Sequence, residues 1–238
     1  MSKQSCVVFD GDDTLWYNQY KYHLAIVRCL EVISSNLGIR CPYPSEILKR
    51  YNALDKLNIE KYGFSVDRFP KSWVETYQEI CRQCGLRPDK MVEKKVFKAA
   101  KQFADPPFIP VKGAKQVLKV LRQKGHHLVL LTLGDEKLQR QKINYTKLEG
   151  YFDAIEIVSS VSDKGKKLSD LAKIFKEIWM VGDSLKIDIG EALKVPIKAI
   201  YISSFSQGWD WGNAELDTGL YNKYVSEIEN IKDILKIL

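Results

Sequence analysis

Three acids, Asp10, Asp12 and Asp13, stand within four residues at the end of a short apolar run, in the stretch SCVVFDGDDTLW. At 4 Å and an effective dielectric near 20, each such pair of carboxylates repels by about 4 kcal/mol. The cluster therefore faces water in a turn or holds a cation. Other residues of chemical interest also close or follow apolar runs. Thr132 ends HLVLLT, Lys164 follows AIEIVS, Gly182 and Asp183 end IWMVG, and Asp188 comes five residues later. Taken singly, each has a plain structural reading: turn acid, strand threonine, solvated helix lysine, helix N-cap. Their shared placement after successive apolar runs asks for a common explanation.

The elements that position them supply one. The runs at 6–9, 127–132, 154–159, 178–182 and 198–202 are continuously apolar, as strands covered on both faces are. Residues 113–124 put Val117, Leu118 and Leu121 on one helical face, and residues 164–176 do the same with Leu168, Leu171, Ala172 and Phe175. This alternation predicts an α/β fold with a doubly wound, Rossmann-like parallel sheet. Ligands bind such sheets at the carboxyl ends of the strands, where all the residues named above fall. Between the first two strands, residues 20–37, with Tyr20, Leu24, Val27, Leu30, Ile33 and Leu37 at spacings of three and four, read as a helix. Further helices are predicted near 44–61, 69–84 and 88–104. The chain thus divides into a catalytic core, 1–16 with 106–238, and an inserted all-helical domain, 17–105. Pro106, Pro107 and Pro110 make the return an extended connector.

Bulk properties exclude several classes. Among 238 residues, 45% are hydrophobic and 28% charged, which argues against disorder, and no apolar run approaches the roughly 20 residues of a membrane span. The start, MSKQSC, enters a strand-like run without a signal-peptide pattern. Five scattered cysteines do not form a secreted disulfide framework, and CRQC at 81–84 lies in a helical pattern without a second pair. A soluble cytoplasmic protein is expected. The net charge of +7 is spread along the chain with no reading motif, so no nucleic-acid partner is expected; basic surface suits anionic substrates.

In this order, FDGDDTL, LVLLT, Lys164 and VGDSLKID resemble the four motifs of the haloacid dehalogenase-like hydrolase superfamily, and the helical insertion after the first motif resembles its type C1 cap. Most members have Gly where Asp13 stands, and Asp13 reads as a turn residue. Lys166 is the alternative third-motif lysine.

The resemblance implies a magnesium-dependent phosphatase. Asp10 is then the nucleophile that forms an aspartyl-phosphate, and Asp12 the acid and base. Asp10, the Asp12 backbone carbonyl and Asp183 bind Mg2+, while Thr132, the Leu133 amide and Lys164 hold the phosphoryl group. Asp188 orients Lys164 or a water of the cation. A phosphomutase shares all these residues, and a haloacid dehalogenase lacks the second Asp. Substrate choice falls to the cap: Trp16, Tyr17 and Tyr20 either stack on a leaving group or pack at the hinge. Lys61 and Arg68 either meet an anionic substrate or lie on a solvated face. The expected partner is a small phosphorylated metabolite.

Overall fold

The structure, a computed structural model, describes residues 5–203 and 216–238, so the first four residues of MSKQSC lie outside it. The chain forms two compact units, Met1–Asn18 with Pro107–Leu238, and Gln19–Pro106.

The first unit is built on β1 (Cys6–Phe9), whose four residues have no exposed surface. A strand buried on both faces must be apolar throughout, which is why CVVF shows no alternation. A short β2 (Trp16–Tyr17) follows, and after the second unit the chain re-enters through β3 (Ile109–Pro110). These two pair antiparallel, Trp16 opposite Pro110 and Tyr17 opposite Ile109, within the connector expected to be extended.

Helix and strand then alternate: α5 (Ala114–Gln123), β4 (His127–Leu133), α6 (Glu136–Thr146), β5 (Ala154–Val158), α7 (Val161–Ile174) and β6 (Ile178–Gly182). The chain continues through a single π-helical turn (Leu185–Ile189) into α8 (Gly190–Lys194), β7 (Lys198–Ile202), α9 (Thr218–Tyr224), β8 (Val225–Ile228) and α10 (Ile234–Ile237). The sheet order is β5-β4-β1-β6-β7-β8, all parallel. Alternate residues of β1 serve opposite faces. Val7 and Phe9 pack with Val117 and Leu121 of α5, Ile143 of α6 and Ile234 of α10. Cys6 and Val8 pack with Leu168 of α7 and Ala192 of α8. The fold is therefore a doubly wound, Rossmann-like α/β sheet.

The second unit contains α1 (Gln19–Leu37), α2 (Pro44–Tyr62), α3 (Arg68–Gln83) and α4 (Lys90–Lys101). The buried stripe of α1 is Lys21, Ala25, Cys29, Ile33 and Leu37, whereas Tyr20, Leu24 and Val27, expected on the apolar face, are exposed. Small residues explain the rotation: at Cys29 the helices approach closely enough for its thiol to reach the Val96 carbonyl of α4 at 3.8 Å. Between α2 and α3, Tyr51 stacks on Trp73 with ring centroids 4.4 Å apart. No helix of the described residues is long and apolar enough to cross a membrane.

Candidate active site

The loop after β1 turns within six residues because it is wound around Gly11. The Gly11 carbonyl accepts the amides of Leu15 (2.8 Å) and Trp16 (3.2 Å). A Cβ on residue 11 would lie 2.4 Å from the Trp16 ring and 2.9 Å from the Thr132 hydroxyl, so only glycine lets them close over the loop. Asp13 has φ of 56°, the left-handed conformation that Asp tolerates, and its carboxylate accepts the Asn18 amide at 2.8 Å. The Asp10 amide donates to the Val181 carbonyl at 2.9 Å, so the β1–β6 pairing extends to the acid.

Asp10, Asp183 and Asp188 each place a carboxylate oxygen within 4.8 Å of the others. Lys164, with no exposed surface, donates to Asp10 and to Asp188, both at 2.5 Å. It is the fourth residue of α7, not the first, because the helix is capped earlier by Ser160, which accepts the Asp163 amide at 3.1 Å. Lys166 points to solvent and pairs with Asp163 at 3.2 Å. Asp188 also accepts the Ser184 amide at 3.0 Å, and Thr14 donates to Asp183 at 3.4 Å.

Burial pushes the Asp10 carboxyl up to about 8; Lys164 pulls against this, and the charges of Asp188 and Asp12 add to it. Asp183 is raised well above the usual carboxylate range by burial first, then by Asp188, Asp10 and Asp13. Burial also works against the charge on Lys164, but Asp10 and Asp188 outweigh it and hold its pKa above the ordinary value. Fully ionised, three carboxylates facing one ammonium would carry two net negative charges, which one divalent cation would balance. The donors are all hard oxygens in a buried group. They fit magnesium and not a soft metal.

Asp12 turns elsewhere. Its carboxylate accepts the Trp16 indole N–H at 2.5 Å and, through both oxygens, the Lys142 ammonium at 2.8 and 2.9 Å. Thr132 ends the buried part of β4, and its hydroxyl accepts from Gln139 Nε2 at 2.8 Å; Gln139 also donates to the Leu133 carbonyl at 3.1 Å. Gln139 and Lys142, both almost fully buried, were missed in the sequence. Their signal is faint: two polar residues three apart on the helix that follows a strand ending in threonine.

The residues expected to meet substrate divide. Trp16 is fully buried in the core beneath the sheet ends, so it cannot stack on a leaving group. Tyr17 is half-buried against the same core, and Tyr20 is exposed on α1. Arg68 is neither on a solvated face nor available to an anion: it is 4% exposed and paired with Asp55 of α2. Lys61 is exposed.

A family model of haloacid dehalogenase-like hydrolases matches residues 4–195. No curated protein matches the sequence. Among solved structures, a haloacid dehalogenase-like family hydrolase from Xanthomonas campestris is similar at 23% identity and a TM-score of 0.73, over 97% of this chain and 88% of that one. A structure described as a predicted phosphoglycolate phosphatase from Haemophilus somnus is 17% identical with a TM-score of 0.60, over 100% of this chain and 99% of that one. A 2-haloacid dehalogenase from Pseudomonas syringae is 15% identical with a TM-score of 0.57, over 98% and 97%. At such identities the likeness concerns the fold, which carries both chemistries; the site must discriminate between them.

Proposed function

Because the chain belongs to the haloacid dehalogenase-like hydrolase family, we propose that this hydrolase is a magnesium-dependent phosphatase acting on a small phosphorylated metabolite through an aspartyl-phosphate at Asp10. The observation that carries the reading is Asp12, two residues beyond Asp10 and held by three donor groups, Trp16, Lys142 and Gln139. A departing alkoxide needs a proton, whereas a departing halide does not. Asp12 therefore favours phosphate ester over haloacid.

In the first step an Asp10 oxygen attacks phosphorus, the ester P–O bond breaks, and Asp12, which enters this step in its protonated form, gives its proton to the leaving oxygen. Asp12 then takes a proton from water, whose oxygen attacks phosphorus and releases orthophosphate from Asp10. Thr132 and the Leu133 amide donate to the transferring phosphoryl group, and Lys164 offsets its charge. Asp10, Asp183 and the Asp12 backbone carbonyl would hold the cation, with Asp188 behind them on Lys164. When bound, magnesium supplies the positive charge that lets an anionic nucleophile approach an anionic ester. A cytoplasmic location, with no nucleic-acid partner, accords with the odd, scattered cysteines and the dispersed basic residues.

The test is covalent trapping. Asp10→Asn abolishes turnover of an aryl phosphate and leaves no phosphate adduct, while the wild-type protein loses activity in EDTA and regains it with magnesium. Asp12→Asn turns over poorly but still loads Asp10 from acetyl phosphate, and mass spectrometry of acid-quenched protein locates the adduct. Near wild-type turnover by Asp10→Asn, or an adduct on another residue, overturns the reading.

A further inference from the structure

We propose that Lys142 and Gln139 are positioning residues that fix the Asp12 carboxylate and the Thr132 hydroxyl in one mutual geometry from a single face of α6; the inference rests on the phosphatase reading above. A buried ammonium is costly unless its protons are satisfied. Lys142, 1% exposed, has three protons and three acceptors, both oxygens of Asp12 and the Asn18 side-chain oxygen at 3.0 Å. Its charge is thus committed to Asp12 and to the residue at which the chain leaves the first unit. With the Trp16 indole on Oδ1, the carboxylate is held from two sides.

Gln139 extends the hold. Its Nε2 reaches the Thr132 hydroxyl, the Leu133 carbonyl and, at 3.4 Å, Asp12 Oδ2. A carbonyl and a carboxylate can only accept, which fixes the NH2 end of the amide toward them. Thr132 therefore receives a proton from Gln139 and keeps its own O–H to donate to a phosphoryl oxygen. Residues three apart share a helix face. The helix itself is anchored where Asp135 accepts the Leu138 amide at 3.1 Å. One rigid element thus sets both the proton donor and the phosphoryl donor.

The experiment compares two esters of similar shape, phenyl phosphate and 2,4-dinitrophenyl phosphate, whose phenolate leaves without a proton. Lys142→Met lowers kcat/KM on phenyl phosphate by about 10²-fold and on the dinitrophenyl ester by less than about tenfold, because kcat/KM reports the step that loads Asp10, in which a displaced acid matters only where the leaving group needs a proton, and not the hydrolysis of the aspartyl-phosphate that both esters share. Added to Asp12→Asn, it costs nothing more on phenyl phosphate. Gln139→Leu slows both esters alike and adds nothing to Thr132→Ala. Equal losses on the two esters by Lys142→Met, losses that multiply with Asp12→Asn, or no loss at all overturn the proposal. If Lys142→Met does not melt cooperatively, Lys142→Gln enters the same comparisons. A wild-type protein that hydrolyses neither ester removes the phosphatase reading and the proposal with it; an Asp12-dependent enzyme indifferent to Lys142 removes the positioning proposal alone.

Discussion

At Thr132 a fully buried hydroxyl closes the buried part of β4 with a lone pair already engaged by Gln139, so in the proposed reaction the proton it would present is pre-oriented and costs no reorganisation. Thr132→Ala should lower kcat by roughly 10²–10³, the loss seen when one preorganised donor to developing charge is removed. Lys164→Ala should be at least as damaging, since it also leaves Asp10 and Asp188 facing each other without their ammonium. Lys166→Ala, on an exposed residue, should leave kcat within about twofold. Steady-state kinetics on one aryl phosphate decides all three, and a severe Lys166→Ala moves the third-motif lysine by two residues. The acids could be read in the sequence because a parallel sheet presents its strand ends to ligand, and acids there stand out against apolar runs. The choice between two lysines a half-turn apart could not, since it depends on which side of α7 meets the sheet. Lys142 and Gln139 were illegible for the same reason: QRQK reads as solvated helix until α6 packs. Arg68 was misread because its partner, Asp55, lies thirteen residues away on another helix.

Elements are held at their ends as much as along their lengths. Asp135, Ser160 and Ser184 cap the helical segments that follow β4, β5 and β6, each accepting an amide three residues on. At the opposite edge of the sheet, Ser5 and His126 Nδ1 meet at 2.5 Å, linking the entries of β1 and β4. Burial, then the charge of Lys124, lowers the His126 pKa below its ordinary 6.5, although Glu177 and a backbone hydrogen bond involving Leu238 oppose the shift. The folded chain therefore binds this proton less readily than the unfolded one. The resulting stability is complete above about pH 6.5 and is lost as the pH falls through the depressed folded value. Melting temperature measured from pH 7.5 to 5 should fall less steeply in His126→Asn than in wild type; parallel curves would remove His126 from the acid sensitivity. Strands with unbroken apolar runs were legible, but β8 was not, because VSEI at the sheet edge is only partly buried and half polar. The β2–β3 ribbon is two residues long on each side, too short for any periodicity. In α1 the helix was legible and its face was not, since spacing alone does not weigh Ala25 and Cys29 as contact residues.

At the scale of the molecule, the acidic group and Lys164 all belong to the first unit, while the second is a single insertion whose ends converge on the β2–β3 ribbon. Replacing residues 19–106 by a short Gly/Ser linker should leave a core that melts cooperatively and whose melting temperature still rises with magnesium. At a magnesium concentration 100 times its Kd, linkage gives about 2.7 kcal/mol. Calorimetry of the excised core with and without magnesium is the check, and a core without a cooperative transition would show that the first unit depends on the insertion to fold. The sheet order has a further consequence, for biosynthesis. β1, which leads into the proposed nucleophile Asp10, leaves the ribosome well before β4 and β6, the strands between which it lies and which begin at residues 127 and 178. At 5–20 residues per second, β6 follows on the order of ten seconds or more behind it. Until β4 emerges CVVF is an unpaired apolar strand, a ready ligand for a chaperone, and until β6 follows one of its edges stays open, so that every truncated nascent chain that ends before β6 lacks Asp183 of the acidic group and is prone to aggregate.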